Sequence, residues 1–187
     1  MLERITRRER SDLLIAWIAI SIAFSLIFIR GGVTLETFLV FLLISMVTVG
    51  IGFILHEMAH KFTAMRYGYW AEFRKDNLML LVAVAMAALV GVVFAAPGAT
   101  VIYGTYITRE QNGKISAAGP AVNLVLCAVF AVLSGAAGLL SIPLLSLIGM
   151  VGLQVNAMIA AFNMLPVSVL DGKKVLAWNP AVFAVLI

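Results

Sequence analysis

Charged residues are scarce in this chain of 187 residues. Only 12% of them are Asp, Glu, Lys or Arg, whereas 63% are apolar by the AVILMFWYC count. A soluble globular domain typically has about 25% charged and about 45–50% apolar residues. This shortage of charge excludes a water-soluble fold. A membrane-spanning helix needs about 20 apolar residues, so the chain has room for about five or six crossings and for no large soluble domain beside them.

Thiols and imidazoles are scarcer still. The single cysteine, Cys127, cannot form an intramolecular disulfide and lies in an apolar run, so we interpret it as a packing residue. The chain has two histidines, His56 and His60. Any metal site must therefore combine this pair with carboxylates.

The distribution of apolar runs predicts an all-α polytopic membrane protein with about five transmembrane or re-entrant helices, forming one membrane-embedded domain over residues 1–187. A helix over 33–55 continues without a breaker to Gly68, and residues 69–77 have the polar and aromatic character of a membrane-surface segment. The small-residue stretch 134–138 is expected to join two apolar segments. Val, Ile, Tyr and Thr with glycine breaks predict a small strand or hairpin near residues 99–108.

The sequence His56-Glu57-Met58-Ala59-His60 is the strongest chemical signal. On a helix, residues i and i+4 lie on one face about 5–6 Å apart, so both imidazoles can bind one zinc ion. The glutamate between them can then act as general base on a zinc-bound water. The alternative is that Glu57 lies at the water interface beside two ordinary polar histidines.

A catalytic zinc site normally has three protein ligands, so a third must come from a carboxylate. Most acidic residues lie in predicted surface loops or near the terminus, but Asp171 ends the segment 163–172 after an apolar helix. Pro166 interrupts that helix, and an unwound helix end is tolerated in a membrane where it lines a polar cavity. Asp171 is the predicted third ligand; the alternative is a simple aspartate at a helix end.

Three segments together resemble the site-2 protease family of intramembrane zinc metalloproteases. These are HEMAH at 56–60, AAGPAVN at 117–123 and NMLPVSVLDG at 163–172, in the family's order. The resemblance covers roughly residues 34–180 and indicates a core-only member. It implies one Zn²⁺ per chain, held by His56, His60 and Asp171, with Glu57 as general base. It also makes Asn123 a candidate for binding the substrate or stabilising the oxyanion, with packing as the alternative.

The metal site constrains the topology. His60 and Asp171 reach one ion only if an even number of crossings separates them, yet three apolar segments lie between. We expect 78–96 to be re-entrant. With a cytoplasmic N-terminus, every Lys and Arg except Arg30 then lies inside, whereas a full crossing by 78–96 would move four of them outside, against the positive-inside tendency. We expect a multi-pass protein of the cell membrane with its active site open to the cytoplasm.

The predicted function is therefore intramembrane zinc endoproteolysis, with a membrane-anchored protein substrate and the lipid bilayer as partners and no nucleic acid. Two alternatives use the same residues: a membrane zinc-binding or carrier protein, and a catalytically silent relative that binds helices without cutting them. A carrier gives Glu57 no reason to lie between the histidines.

Overall fold

The structure is a computed structural model, and it describes residues 4–28, 34–93, 98–104 and 106–187. Its helices are α1 (Arg7–Phe28), α2 (Leu35–Ser45), α3 (Ile51–Arg66), α4 (Asn77–Leu89), α5 (Arg109–Leu139), α6 (Pro143–Asn163), α7 (Asp171–Trp178) and α8 (Pro180–Leu186). A π-helical segment, Met46–Gly50, connects α2 to α3 without a break. Two strands, β1 (Trp70–Lys75) and β2 (Gly98–Tyr103), form a two-stranded sheet.

Within the described residues, four helices are long and apolar enough to cross a bilayer: α1, the continuous helix Leu35–Arg66, α5 and α6. This is a membrane protein, and the predicted fold class is confirmed. Helix α4 has 13 residues. At 1.5 Å per residue it is about 20 Å long, shorter than the hydrocarbon core of about 30 Å. Its length agrees with the expected re-entrant segment, of which residues 94–96 lie outside the described part of the chain.

The strand predicted near 99–108 is confirmed by β2, although residue 105 is outside the described residues. Its partner β1 lies in the segment interpreted as membrane surface. The start of β2 adjoins the end of β1, because a Cβ on Gly98 would lie 2.4 Å from the carbonyl oxygen of Arg74. The two strands are therefore antiparallel. This pairing satisfies backbone groups that an irregular surface segment would leave to water.

Helix α5 is the longest continuous α-helix given above, with 31 residues. It begins at Arg109, where Thr108 and Gln111 form a reciprocal capping box. The expectation that 134–138 joins two segments is wrong, since α5 continues through it to Leu139. The small residues instead allow close packing: a Cβ on Gly149 of α6 would lie 2.5 Å from the backbone nitrogen of Ser134.

The described residues group into two compact units. The first comprises Met1–Ile54 and Glu72–Val101, and the second comprises Leu55–Ala71 and Ile102–Ile187. In the first unit, α1 packs against α2, the π-helical segment and α4. The Trp17 indole lies against Gly50 and donates a hydrogen bond of 2.9 Å to the carbonyl of Met46. The single-domain assignment stays a prediction.

In the second unit, α5 packs along α6 and contacts α7 and α8. Phe130 of α5 lies against Gly152 of α6, where a Cβ would approach the ring to 2.4 Å. All the residues proposed as metal ligands belong to this unit. Helix α5 is its central element, and the candidate site lies along that helix.

Candidate metal centre

His56 and His60 lie one turn apart on α3 and face the same point. Their ring centroids are 4.6 Å apart and their Nε2 atoms 3.0 Å apart. Both side chains are buried. The i, i+4 spacing read from the sequence therefore brings two metal-binding nitrogens together in a site shielded from solvent.

Asp171, the first residue of α7, reaches the same point from a distant part of the chain. Its Oδ2 lies 3.4 Å from Nε2 of His56 and 3.0 Å from Nε2 of His60. The backbone next to Asp171 packs closely against the end of α6. A Cβ on Gly172 would lie 2.0 Å from the carbonyl oxygen of Met164. A glycine after the carboxylate is therefore needed to bring it to the imidazoles.

The imidazoles keep the Asp171 carboxylate ionised. Burial alone raises the pKa of this carboxyl group, but the charge and hydrogen bonds of His60 and His56 outweigh burial and lower the pKa below its ordinary value. Lys174, one turn further along α7, lies 3.7 Å from the other carboxylate oxygen. An ionised carboxylate is the form that binds a cation.

The three side chains fit a divalent metal ion. Their ligand atoms all lie within 4.8 Å of one another. Zinc binds His nitrogen and carboxylate oxygen at about 2.0–2.2 Å in tetrahedral geometry, which separates neighbouring ligand atoms by about 3.3 Å. The separations of 3.0–3.4 Å given above match that value. Two imidazoles and a carboxylate are a ligand set used by catalytic zinc.

A glycine of α5 leaves room for the ion. A Cβ on Gly119 would lie 2.4 Å from Nε2 of His60 and 2.6 Å from Nε2 of His56. The point that a side chain would occupy is thus the point at which both histidines converge. Only glycine leaves it empty, and this is the second observation that favours a metal there.

Comparison with known proteins identifies the family. The chain is 42% identical over 185 residues to a protein of Methanocaldococcus jannaschii that carries the provisional name zinc metalloprotease. The match covers 98% of this chain and 91% of that protein. The chain belongs to this zinc metalloprotease family. No family model matches the chain, and no solved structure matches it.

The zinc metalloprotease motif also contains Glu57, which lies beside the ligands on α3. It is buried, with 8% of its surface exposed, and its charge acts on His60. A buried carboxylate within a candidate membrane span costs about 2.5–3.5 kcal/mol on insertion scales, so a function or partner must offset that cost. Its assignment as general base stays a prediction.

Asn123 of α5 is fully buried and contacts a ligand directly. Its Oδ1 lies 2.5 Å from Nδ1 of His56, and its Nδ2 donates a hydrogen bond of 2.8 Å to Oδ1 of Asn156. The side chain is therefore engaged with α3 and α6. Its role in binding a substrate or an oxyanion stays a prediction.

Sequence reasoning missed three contributors to the site: Gly119, Asn156 and the carbonyl of Ile115, which lies 2.8 Å from Nδ1 of His60. One of them carried a signal. Asn156 is an amide in an apolar helix, and polar side chains within membrane spans usually face the bundle interior. Gly119 lies within the AAGPAVN segment at 117–123, but the presence of a glycine does not reveal what it makes room for, and the Ile115 carbonyl is a backbone atom that no motif marks.

Proposed function

We propose that this zinc metalloprotease cleaves its substrates within the membrane, as the resemblance to site-2 proteases implies. The observation that carries the proposal is the convergence of His56, His60 and Asp171 on one buried point, with Glu57 buried in the same turn of α3. Both histidines lie on a helix long and apolar enough to span a bilayer. The substrate is a membrane-anchored protein cut within or near its transmembrane segment.

The chain's residues divide the work of peptide hydrolysis. His56, His60 and Asp171 hold the metal, and a bound zinc ion supplies a Lewis acid that polarises a carbonyl group and acidifies water. Glu57 takes one proton from the attacking water molecule. At the same time the oxygen of that water bonds to the scissile carbonyl carbon. Glu57 then gives that proton to the amide nitrogen as the carbon–nitrogen bond breaks.

The surroundings of the site support hydrolysis inside a shielded cavity. The three ligand residues are buried, so the charges involved interact more strongly than in bulk water. Water must still enter, and we propose that it does so from the cytoplasmic side. The expected topology puts nearly all lysines and arginines on that side. The N-terminus lies on the same side of the cell membrane.

The decisive test is Glu57→Gln, compared with Glu36→Gln. Both changes remove one negative charge from the same continuous helix, but Glu36 is exposed in the first turn of α2. We expect Glu57→Gln to keep zinc at about one per chain, measured by elemental analysis. Cleavage of a membrane-embedded reporter should fall by about 10²–10⁴-fold, the usual contribution of a general acid–base group. Glu36→Gln should cleave normally.

Two results would contradict the proposal. Undiminished cleavage by Glu57→Gln with zinc present would remove the general base. A wild-type protein that binds zinc and cuts none of a panel of membrane-anchored substrates would favour a zinc carrier or a silent relative that binds helices.

A further inference from the structure

Asn156 is a fully buried residue of α6, and none of its hydrogen bonds described here reaches a metal ligand. Its Nδ2 donates a hydrogen bond of 2.8 Å to the carbonyl of Gly152, one turn earlier. A backbone carbonyl only accepts hydrogen bonds. This contact therefore fixes which end of the Asn156 amide is nitrogen, since the reverse orientation would put two oxygens together.

The orientation of the Asn156 amide fixes donor and acceptor at each of the next two contacts. With its nitrogen on Gly152, Asn156 presents its oxygen to Asn123, which must answer with its own nitrogen at 2.8 Å. Asn123 then presents its oxygen to Nδ1 of His56 at 2.5 Å. An oxygen at that position accepts from a protonated Nδ1, so the neutral, metal-binding form of the ring is the tautomer with its lone pair on Nε2. Nε2 is the atom that faces Asp171.

His60 reaches the same state by a shorter route. Its Nδ1 lies 2.8 Å from the carbonyl of Ile115, another group that only accepts. A backbone carbonyl thus determines which ring nitrogen carries the proton in both histidines, directly in His60 and through Asn123 and Asn156 in His56. Only the His56 arrangement depends on other side chains, which substitution can remove.

We propose that Asn156 is a positioning residue that fixes the tautomer and orientation of His56 for metal binding, acting through Asn123. The inference rests on the proposed metal site and deepens it. Partners of metal-bound histidines typically change metal affinity by about 10–100-fold when removed. Asn156→Leu removes both hydrogen bonds at nearly constant volume, and Asn156→Ala removes them without adding bulk.

The experiment measures zinc affinity by chelator competition on the purified full-length protein, with Val155→Ala as control. Val155 is the neighbouring buried residue of α6, and its truncation disturbs packing without changing any polar group. We expect both Asn156 variants to bind zinc about 10–100-fold more weakly. Val155→Ala should lower the melting temperature while keeping zinc affinity within about twofold, far inside the range set by a lost ligand partner.

A spectroscopic measurement separates positioning from a general loss of structure. The chain has two histidines, so ¹⁵N-histidine labelling reports on those rings alone. In the zinc-loaded Asn156 variants, the Nδ1 proton of His56 should exchange with water faster, while that of His60 keeps its wild-type rate. Equal acceleration at both rings, unchanged zinc affinity in both Asn156 variants, or an equal affinity loss in Val155→Ala would overturn the inference.

These outcomes are distinguishable from failure of the proposed function. If the affinity loss and the His56-specific signal appear but no substrate is cut, the positioning role holds and proteolysis does not. If wild type cuts its reporter and the Asn156 variants bind zinc as wild type does, proteolysis holds and the positioning role does not.

Discussion

Replacing Gly119 by alanine should eliminate metal binding by filling the point at which the histidines converge. The added Cβ would lie 2.4 Å from Nε2 of His60 and 2.6 Å from Nε2 of His56, whereas real Cβ atoms essentially never come within 3.0 Å of such neighbours. The rings or helix α5 must therefore move by more than about 0.5 Å to restore normal contact distances. Neither ring is free to do so.

The magnitude follows from what holds the rings. Moving His60 away costs its hydrogen bond to Ile115, and moving His56 costs its hydrogen bond to Asn123. Each buried group left unsatisfied costs about 1–3 kcal/mol. The helix gains only about 0.5–1 kcal/mol from exchanging glycine for alanine, so the variant is destabilised overall. Metal sites hold their ligand distances to about ±0.2 Å, so we expect zinc affinity to fall at least about 100-fold.

The matched control is Gly135→Ala, the same substitution on the same helix at a position where a Cβ meets nothing within 4 Å. Zinc content by elemental analysis, zinc affinity by chelator competition and reporter cleavage should all match wild type in this control. Gly119→Ala should fail in all three. A Gly119→Ala protein that binds zinc within about threefold of wild type would refute the placement of the ion, because a ligand shift this large must weaken binding far more.

Two further predictions concern the fold and the topology. Gly50→Ala puts a Cβ 1.8 Å from the Trp17 indole nitrogen, so it should displace the indole from the Met46 carbonyl. We expect the free energy of unfolding to fall by about 3 kcal/mol, measured by thermal denaturation in detergent. The control is Gly138→Ala, at a position where a Cβ meets nothing within 4 Å. A cysteine at Gln111, in a Cys127→Ala background, should react with an impermeant thiol reagent only from the cytoplasmic side. Reaction from outside alone would contradict a re-entrant 78–96.

Local sequence patterns were enough to predict the metal-binding residues that lie close together on α3. His56 and His60 follow from helical spacing, and the role of Glu57 between them stays a prediction. Asp171 needed a different argument, that few carboxylates lie near apolar segments. The first turn of α5 also had a local signal, since Thr108 followed by Gln111 is a capping-box pair.

The remainder depends on contacts between residues far apart in sequence. Asn156 meets Asn123 across 33 positions, and His60 meets the Ile115 carbonyl across 55. The pairing of β1 with β2 is similar, because Trp70–Lys75 has no clean alternation and becomes recognisable as a strand only beside its partner. A single sequence does not specify such pairs.

The hydrogen bonds to the Nδ1 atoms of the two imidazoles show that the five-residue motif does not form the metal centre by itself. Both Nδ1 atoms are held by groups of α5, so a synthetic peptide copying Ile51–Arg66 would present two rings free to rotate, each in either tautomer. Such a peptide should bind zinc no better than any pair of histidines on a helix. Grafting this centre onto another scaffold would therefore require transplanting the α5 groups that hold the rings and Asp171 of α7 together with the motif.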